Sequence, residues 1–320
     1  MTAAWRDTGY EVFQDVNSYS KAYGELVEHR RHTPSLSADE VKALMDKGEN
    51  MVVLDARRLD EYQTMNIPGS ISVPGAELVL RAAALAPDPD TRIIVNCAGR
   101  TRSLIGTQSL VNAGLPNRID ALRNGTIGWT LAGKELEHGQ DRRFGEVGSQ
   151  QLAEASARAR EVAYRAGVRR IDSAALAELL RDGSRTTYLF DVRTQEEHVA
   201  GRPEGFRHAP GGQLVQETDM LASTRGARIV LADDLGPRAD MTASWLAQMA
   251  WEVYVLDGGF DGPQESGAPV EAPRRPKEGR YRRPYEGTDN PTAAMEAYLE
   301  WEYGLVDQLA RDGTHGFIVI

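Results

Sequence analysis

The chain has 320 residues, of which 41% are hydrophobic and 26% are charged, a composition typical of a globular protein with a substantial core. Its formal net charge of −10 disfavours binding to nucleic acid or anionic lipid, because phosphate contacts need clustered Lys and Arg. The single cysteine, Cys97, excludes an intramolecular disulfide and favours a reducing compartment, for which we expect the cytoplasm.

Residues 1–32 are predicted to form an N-terminal extension. They contain no basic region followed by an apolar run near Met1, and no apolar run in the sequence is long enough to cross a bilayer, so we predict neither a signal peptide nor a membrane span. Trp5 to Val12 resembles Trp129 to Leu136, since each has Trp, a Gly four residues later, and then x-Glu-apolar. One interpretation is that Trp5 to Val12 is the tail of an earlier domain copy.

Helices and strands are predicted to alternate after residue 33. Ser37 and Glu40 have the spacing of a helix start, and the β-branched run from Arg92 to Asn96 is typical of a buried strand. The predicted elements are a helix over 37–48, strands over 51–54 and 92–96, a helix over 104–112 and a strand over 118–122. This alternation predicts an α/β fold with a parallel sheet covered on both faces by helices.

An internal repeat then predicts a second copy of the same domain. Asp55-Ala56-Arg57 recurs 136 residues later as Asp191-Val192-Arg193, and the same offset carries Glu61 onto Glu197 and Arg102 onto Arg238. The second copy gives a helix over 173–183, strands over 188–190 and 229–232, a helix over 239–249 and a strand over 252–256. We interpret the repeat as duplication of one domain.

Three segments lie outside the repeats. Residues 150–166, rich in Ala, Glu and Arg, predict a linker helix, and Asn290-Pro291 predicts the start of an amphipathic helix that reaches Ala310. The Arg-rich stretch 274–283 is interpreted as a linker on the surface and not as a nucleic-acid site. The predicted domains are therefore an extension (1–32), a catalytic domain (33–140), a helical linker (141–168), a degenerate domain (169–263) and a connector with a C-terminal helix (264–320). That helix is expected to pack on a domain or on the mate in a homodimer.

Cys97 is the candidate nucleophile. It begins the segment Cys97-Ala98-Gly99-Arg100-Thr101-Arg102-Ser103 between a strand and a helix, where backbone N–H groups and the positive helix end can converge on an anion. Arg100 and Arg102 add positive charge, so we expect the pKa of Cys97 to lie below its ordinary value of about 8.5.

The chain resembles the rhodanese domain family. The resemblance lies in the ordered set of strand-Asp-x-Arg, Glu61-Tyr62 to Ile67-Pro68-Gly69-Ser70, Cys-x-x-Gly-x-Arg, and Leu122-Arg123-Asn124-Gly125 to Trp129. It covers roughly Pro34 to Glu137 well and roughly Arg170 to Gly262 more weakly.

The resemblance implies a sulfurtransferase in which Cys97 accepts sulfane sulfur and passes it on as a persulfide. It implies that Ala98, Gly99, Arg100, Thr101, Arg102 and Ser103 bind the donor. Asp55 and Arg57 resemble the family's pair that orders the active loop, and Trp129 resembles a packing residue. The family implies a small anionic donor, a thiol or cyanide as acceptor, and no metal or organic cofactor.

Loop length separates this reading from the related cysteine phosphatases. Those enzymes place Arg six residues after Cys, whereas Arg102 follows Cys97 by five, which resembles the sulfurtransferases. The loop also lacks the Cys-Gly-x-Gly-Val-Thr pattern associated with mercaptopyruvate, so thiosulfate or a persulfide is the expected donor. A phosphatase or an arsenate reductase is the third reading.

The second copy has Asp233 where the first has Cys97, and a carboxylate cannot store sulfur as a persulfide. Arg238 is kept, but Gly236 replaces Arg100, so we expect this domain to shape or cover the active cleft or to bind a partner. Asp233 with Asp234 is read as solvated or helix-capping and not as a metal or acid/base pair. The six histidines show no metal-ligand spacing and are assigned no role.

Two function hypotheses follow. The first is a cytoplasmic enzyme with tandem domains that moves sulfane sulfur from thiosulfate or a persulfide to a thiophilic acceptor through Cys97. The alternative is a sulfur carrier without turnover, or an interaction scaffold, in which Cys97 takes sulfur only from a protein partner.

Overall fold

A computed structural model describes residues 2–269 and 286–320, with side chains from residue 5 onward. The interpretation of 274–283 as a surface linker lies outside the described residues. At the N-terminus, helices α1 (Thr2–Asp7) and α2 (Ser18–Arg31) precede the first sheet.

The first domain places a parallel sheet between helices, as the alternation predicts. Its elements are β1 (Ser35–Leu36), α3 (Ala38–Asp46), β2 (Met51–Asp55), α4 (Leu59–Thr64), β3 (Ile71–Ser72), a 3₁₀ turn (Gly75–Glu77), α5 (Leu78–Leu85), β4 (Arg92–Asn96), α6 (Thr101–Asn112), β5 (Ile119–Leu122) and α7 (Gly125–Leu131). In the described chain the five strands lie in the order β1-β5-β4-β2-β3, all parallel.

The second domain repeats this arrangement. Its elements are α8 (Ser149–Arg165), β6 (Arg169–Ile171), α9 (Ser173–Arg181), β7 (Thr187–Asp191), α10 (Gln195–Ala200), β8 (Arg202–Pro203), β9 (Arg207–His208), α11 (Gly211–Gln216), α12 (Thr218–Leu221), β10 (Arg228–Ala232), α13 (Pro237–Gln248), β11 (Glu252–Leu256) and β12 (Gln264–Glu265). Its parallel sheet has the order β6-β11-β10-β7-β9, and β8 pairs antiparallel with β12. The offset of 136 residues relates β2 to β7, β4 to β10 and α6 to α13, which confirms the tandem fold.

Local signals explain where several helices begin and end. Ser37 and Glu40 form the expected capping box at the start of α3. The Asn290 side chain accepts a hydrogen bond from the Ala293 N–H at the start of α14 (Pro291–Tyr303). The prediction of one helix to Ala310 is wrong, because Gly304 ends α14 and a separate helix α15 (Leu305–Asp312) follows. Glycine is among the weakest helix formers, so a break at that position is physically reasonable.

The terminal helices pack on the two domains. Tyr23, Leu26 and Val27 of α2 share a buried cluster with Leu305 and Leu309 of α15 and with side chains of the second sheet. Met295 and Leu299 of α14 pack on Ile127 of the first domain. No helix in the described parts of the chain is long and apolar enough to cross a membrane.

The Trp5 segment adopts the conformation of the segment that it resembles. Trp5 Nε1 donates to the Glu11 carbonyl at 3.1 Å, and Trp129 Nε1 donates to the Glu135 carbonyl at 2.8 Å. Trp129 is fully buried, whereas Trp5 is 53% exposed. The interpretation of Trp5 to Val12 as the tail of an earlier domain copy stays a prediction.

Candidate functional site

Cys97 lies between the end of β4 and the start of α6, at the edge of the sheet where parallel strands end. Its side chain is buried, at 2% exposure. The thiol donates a weak hydrogen bond to Ser103 Oγ at 3.5 Å, and Ser103 Oγ donates to the Arg100 carbonyl at 2.8 Å. Ser103 therefore ties the sulfur to the first turn of the following helix.

The backbone of the loop is oriented by α7. The N–H groups of Thr126 and Ile127 donate to the carbonyls of Cys97 and Ala98 at 2.9 and 3.0 Å. Gly125 makes this approach possible, since it has φ 54° and a Cβ there would lie 2.3 Å from the Cys97 carbonyl oxygen. In a trans peptide the N–H points opposite to the C=O, so the amides of Ala98 and Gly99 face away from α7. This orientation is compatible with the predicted backbone cradle.

The prediction of a lowered pKa at Cys97 is wrong. Burial raises the pKa of the thiol above its ordinary value, and this effect outweighs the opposing charge of Arg102 and the hydrogen bonds from Ser103. The sequence shows the two arginines but not the complete removal of Cys97 from solvent. Burial therefore favours the neutral thiol over the thiolate.

Arg100 points into a cluster built from both terminal extensions. Its guanidinium donates to Glu25 Oε1 at 2.8 Å and to Glu25 Oε2 at 2.7 Å, and it also pairs with Glu28. Nη1 donates to Asn124 Oδ1 and to the Tyr303 hydroxyl, both at 3.1 Å, and the Tyr303 ring stacks on the guanidinium. Arg100 is only 2% exposed, so donor binding by Arg100 stays a prediction that requires it to leave this cluster.

Arg102 is held differently, by a carboxylate of its own domain. Nη1 and Nη2 donate to the two Glu61 oxygens at 2.7 and 2.8 Å. Burial alone would raise the pKa of Glu61, but the nearby charge of Arg102 outweighs this effect and lowers that pKa to about 2. Thr101, the residue before Arg102, begins α6 and lies against Gly24 of α2. Arg102 is the main charge that favours the Cys97 thiolate.

Asp55 and Arg57 form a fully buried pair at the end of β2. Arg57 Nε and Nη2 donate to the two Asp55 oxygens at 2.9 and 2.7 Å, and Nη2 also donates to the Met65 carbonyl. Asn96 Nδ2 donates to Asp55 Oδ2 at 2.7 Å. Because Asn96 immediately precedes Cys97, this pair is in a position to order the loop.

The second loop places a carboxylate where the first has the sulfur. Asp233 accepts hydrogen bonds from the backbone N–H groups of Leu235, Arg238 and Ala239 at 3.2, 2.9 and 3.2 Å. Arg238 Nη2 lies 2.8 Å from Asp233 Oδ1, and Nη1 lies 3.1 Å from Glu77 of the first domain. Asp233 is thus buried and caps the first turn of α13, so the helix-capping reading agrees with the structure and the solvated reading is wrong. Throughout the described residues, no group of His, Cys, Asp and Glu has the arrangement of a metal site.

Sequence reasoning missed several residues around the loop. Glu61 stands in the sequence only as a repeated residue and as part of the family pattern, although its recurrence together with Arg102 is a signal for the ion pair. Glu25, Glu28 and Tyr303 gave no signal, because they lie outside the repeats and reach Arg100 through the packing of distant helices.

Comparison with known proteins agrees with this geometry. The rhodanese-like domain model matches residues 37–132 and 172–266, which together make up more than half of the chain. A crystal structure of thiosulfate sulfurtransferase from Pseudomonas aeruginosa is similar with a TM-score of 0.91 and 48% identity, and covers 99% of this chain and 82% of that one. The "Putative sulfur carrier protein YrkF" of Bacillus subtilis (strain 168) is 27% identical over 140 residues, which are 40% of this chain and 71% of that protein.

A shorter match is to the "HTH-type transcriptional regulator Rv0324" of Mycobacterium tuberculosis, at 32% identity over 89 residues, 28% of this chain and 38% of that protein. The two segments that the rhodanese-like domain model matches each contain four of the five strands of one sheet, and the similarity to the Pseudomonas structure extends over nearly the whole chain. The chain therefore belongs to the rhodanese-like domain family and is a rhodanese-type sulfurtransferase.

Proposed function

We propose that the chain transfers sulfane sulfur from thiosulfate or a persulfide to cyanide or a thiol, with the sulfur carried on Cys97. The observation that carries this proposal is the position of Cys97, the only cysteine, at the start of α6 and beside Arg102. The Pseudomonas relative, described as a thiosulfate sulfurtransferase, supports thiosulfate as the donor.

In the first step, Cys97 loses its proton to solvent, and the thiolate attacks the outer sulfur of thiosulfate. A bond forms between Sγ and that sulfur, the S–S bond of thiosulfate breaks, and sulfite leaves with the bonding electron pair. In the second step, cyanide or a thiolate attacks the outer sulfur of the Cys97 persulfide. The bond to Sγ breaks, thiocyanate or a new persulfide leaves, and Cys97 returns as the thiolate.

The surrounding residues have distinct roles in this proposal. The amides of Ala98 and Gly99 and the positive end of α6 stabilise the negative charge of the thiolate and of the persulfide. Arg102 adds a fixed positive charge, while Asp55 and Arg57 hold the loop through Asn96. Asp233 gives the second domain no sulfur chemistry, so that domain shapes or covers the active cleft or binds a partner. The single cysteine supports the cytoplasm as the compartment. The proposal also includes the division into an extension, a catalytic domain, a helical linker, a degenerate domain and a connector with a C-terminal helix.

The test begins with intact-mass measurement of purified protein after incubation with thiosulfate. We expect one added sulfur, absent in Cys97→Ser, and rapid thiocyanate formation once cyanide is added. A reactive Cys97 that takes sulfur from no small donor would instead support a carrier loaded by a protein partner. Hydrolysis of an aryl phosphate that depends on Cys97 would support a phosphatase.

A further inference from the structure

Arg57 and Arg193 occupy matched positions in the two domains and make the same hydrogen bonds, with one exception. In each, Nε and Nη2 donate to the two oxygens of the preceding aspartate, Asp55 or Asp191, at 2.7 to 2.9 Å. Nη2 of each also donates to the backbone carbonyl just after the following helix, α4 or α10. The two guanidinium groups are therefore held in the same way and differ only at Nη1.

Nη1 of Arg193 binds a carboxylate, whereas Nη1 of Arg57 has no hydrogen-bond partner in the part of the chain that the structure describes. Arg193 Nη1 donates to Asp234 Oδ2 at 3.0 Å, and Arg238 Nη2 donates to Asp234 Oδ1 at 2.8 Å. Arg57 is fully buried, and a buried charged donor without a partner is costly. Such an atom calls for an explanation when the matched atom of the other domain is satisfied.

The residue that makes this difference is Ala98. β2 and β4 pair in the same register as β7 and β10, and each loop begins directly after β4 or β10. Ala98 is second in its loop and Asp234 is second in the other, so Ala98 stands at the matched position but supplies no carboxylate. Ala98 is half-buried and the Asp234 side chain is 36% exposed, so solvent reaches this part of the loop in both domains.

Arg102 completes the comparison because it matches Arg238. Each of these arginines pairs with the matched glutamate of its own domain. In the second loop, Arg238 also contacts the carboxylates of Asp233 and Asp234, at 2.8 Å each. The first loop has neither carboxylate. Arg57 and Arg102 therefore face two fewer negative charges than their counterparts in the second domain.

We propose that Arg57 Nη1 and Arg102 bind the oxyanion end of the sulfur donor, at the position that Asp234 fills in the second domain. This inference rests on the proposed function and names the donor class, a molecule with a sulfonate-type group next to its transferable sulfur, such as thiosulfate. The two aspartates of the second loop thus mark the places of the transferred sulfur and of the donor's oxygens.

In the transfer step, these two arginines act on the leaving group. As Cys97 Sγ bonds to the outer sulfur, the S–S bond of thiosulfate breaks and sulfite takes the bonding electron pair. Arg57 and Arg102 hold the sulfite oxygens while their negative charge increases. Arg57 is then a catalytic residue as well as the partner of Asp55.

Ala98→Asp tests this inference because it builds the arrangement of the second domain into the first. The new carboxylate should pair with Arg57 Nη1 and Arg102 and occupy the donor position, so we expect the KM for thiosulfate to rise at least about tenfold. The melting temperature should not fall below that of the parent, since Arg57 gains a partner. Ala132→Asp, at an exposed position at the end of α7, adds the same charge away from the loop and is the matched control. An unchanged KM in Ala98→Asp would overturn the inference.

A binding measurement separates this inference from the sulfur chemistry. Calorimetric titration of the Cys97→Ser protein compares methanesulfonate with dimethyl sulfone, which has a similar shape but no charge. We expect saturable binding of methanesulfonate alone, weakened when Ala98→Asp is added. No binding of methanesulfonate, or equal binding with and without Ala98→Asp, would contradict the inference even if the persulfide forms.

If no persulfide forms in the parent protein, the proposed function fails, and the calorimetry alone decides whether the two arginines hold an oxyanion. Should Ala98→Asp not fold, the comparison of methanesulfonate with dimethyl sulfone still decides: equal behaviour of the two ligands counts against the inference.

Discussion

Arg102 and Glu61 are joined by two parallel hydrogen bonds, and 136 residues later Arg238 and Glu197 form the equivalent ion pair at 2.7 Å. The second pair persists although its loop has lost the cysteine. Because this ion pair is also present in a loop that carries no sulfur, its role is structural. It fixes the first turn of α6 against α4, and the first turn of α13 against α10.

Glu61→Gln should lower the free energy of unfolding by about 2–4 kcal/mol at pH 7, since Arg102 keeps its charge but loses its carboxylate partner. Because the pKa of Glu61 is depressed to about 2, the stabilisation is present above the ordinary pKa of about 4.3 and is lost as pH falls towards 2. Urea unfolding at a series of pH values measures this, with exposed Glu49→Gln as control. A difference between Glu61→Gln and the parent that grows below pH 4 would contradict the assignment.

Alkylation of Cys97 should be slow at neutral pH and should speed up as pH rises beyond the ordinary range of a thiol. The reason is the pKa raised by burial, which leaves little thiolate at pH 7. The measurement is the rate of iodoacetamide modification by intact mass between pH 6 and pH 10, with free cysteine as the reference. A rate already at its plateau at pH 7 would show that the thiol ionises easily after all.

Arg102→Lys and Arg100→Lys should differ in their effect on the donor. Lysine cannot form the two parallel hydrogen bonds to Glu61 that hold the positive charge of Arg102 beside Cys97, so we expect Arg102→Lys to raise the KM for thiosulfate about tenfold. Arg100→Lys should change that KM less than about threefold but lower the melting temperature, because its guanidinium bonds Glu25, Glu28, Asn124 and Tyr303. An equal rise in KM for both variants would mean that Arg100 leaves its cluster to bind the donor.

Asp233→Asn should weaken the fold without affecting sulfur transfer. The loss is expected to be about 2–4 kcal/mol, because Arg238 is fully buried and loses a charged partner. Thiocyanate formation per folded molecule should stay within about twofold of the parent. Exposed Asp261→Asn serves as the control in denaturant unfolding. A large fall in turnover with unchanged stability would assign Asp233 a direct part in the reaction.

Much of the fold could be predicted because its signals are local or repeated. Arg92 to Asn96 reads as a strand from its β-branched residues alone, and Ser37 with Glu40 marks a helix start. The family resemblance predicts a pair between Asp55 and Arg57, the same two residues recur as Asp191 and Arg193, and both pairs form. Such features depend on near neighbours in the chain.

The surroundings of Cys97 could not be predicted in the same way. The burial that raises its pKa, and the use of Arg100 by Glu25 and Glu28, depend on how α2 and α14 pack against the first domain. No spacing in the sequence reports a contact between residues 25 and 100. The charge of an arginine can be read from sequence, but the group that it faces is set by tertiary packing.

The bond from Arg238 to Glu77 also affects how the molecule should come apart. It joins the sulfur-free loop of one domain to the other domain, and the Gly75 and Gly212 backbones meet beside it, with a Cβ at Gly212 falling 3.1 Å from the Gly75 Cα. In addition, helix α2, which precedes the first sheet in the chain, packs into the hydrophobic core of the second domain. Neither half can lose its structure without exposing apolar surface and a buried charge in the other. Calorimetry should therefore record a single melting transition.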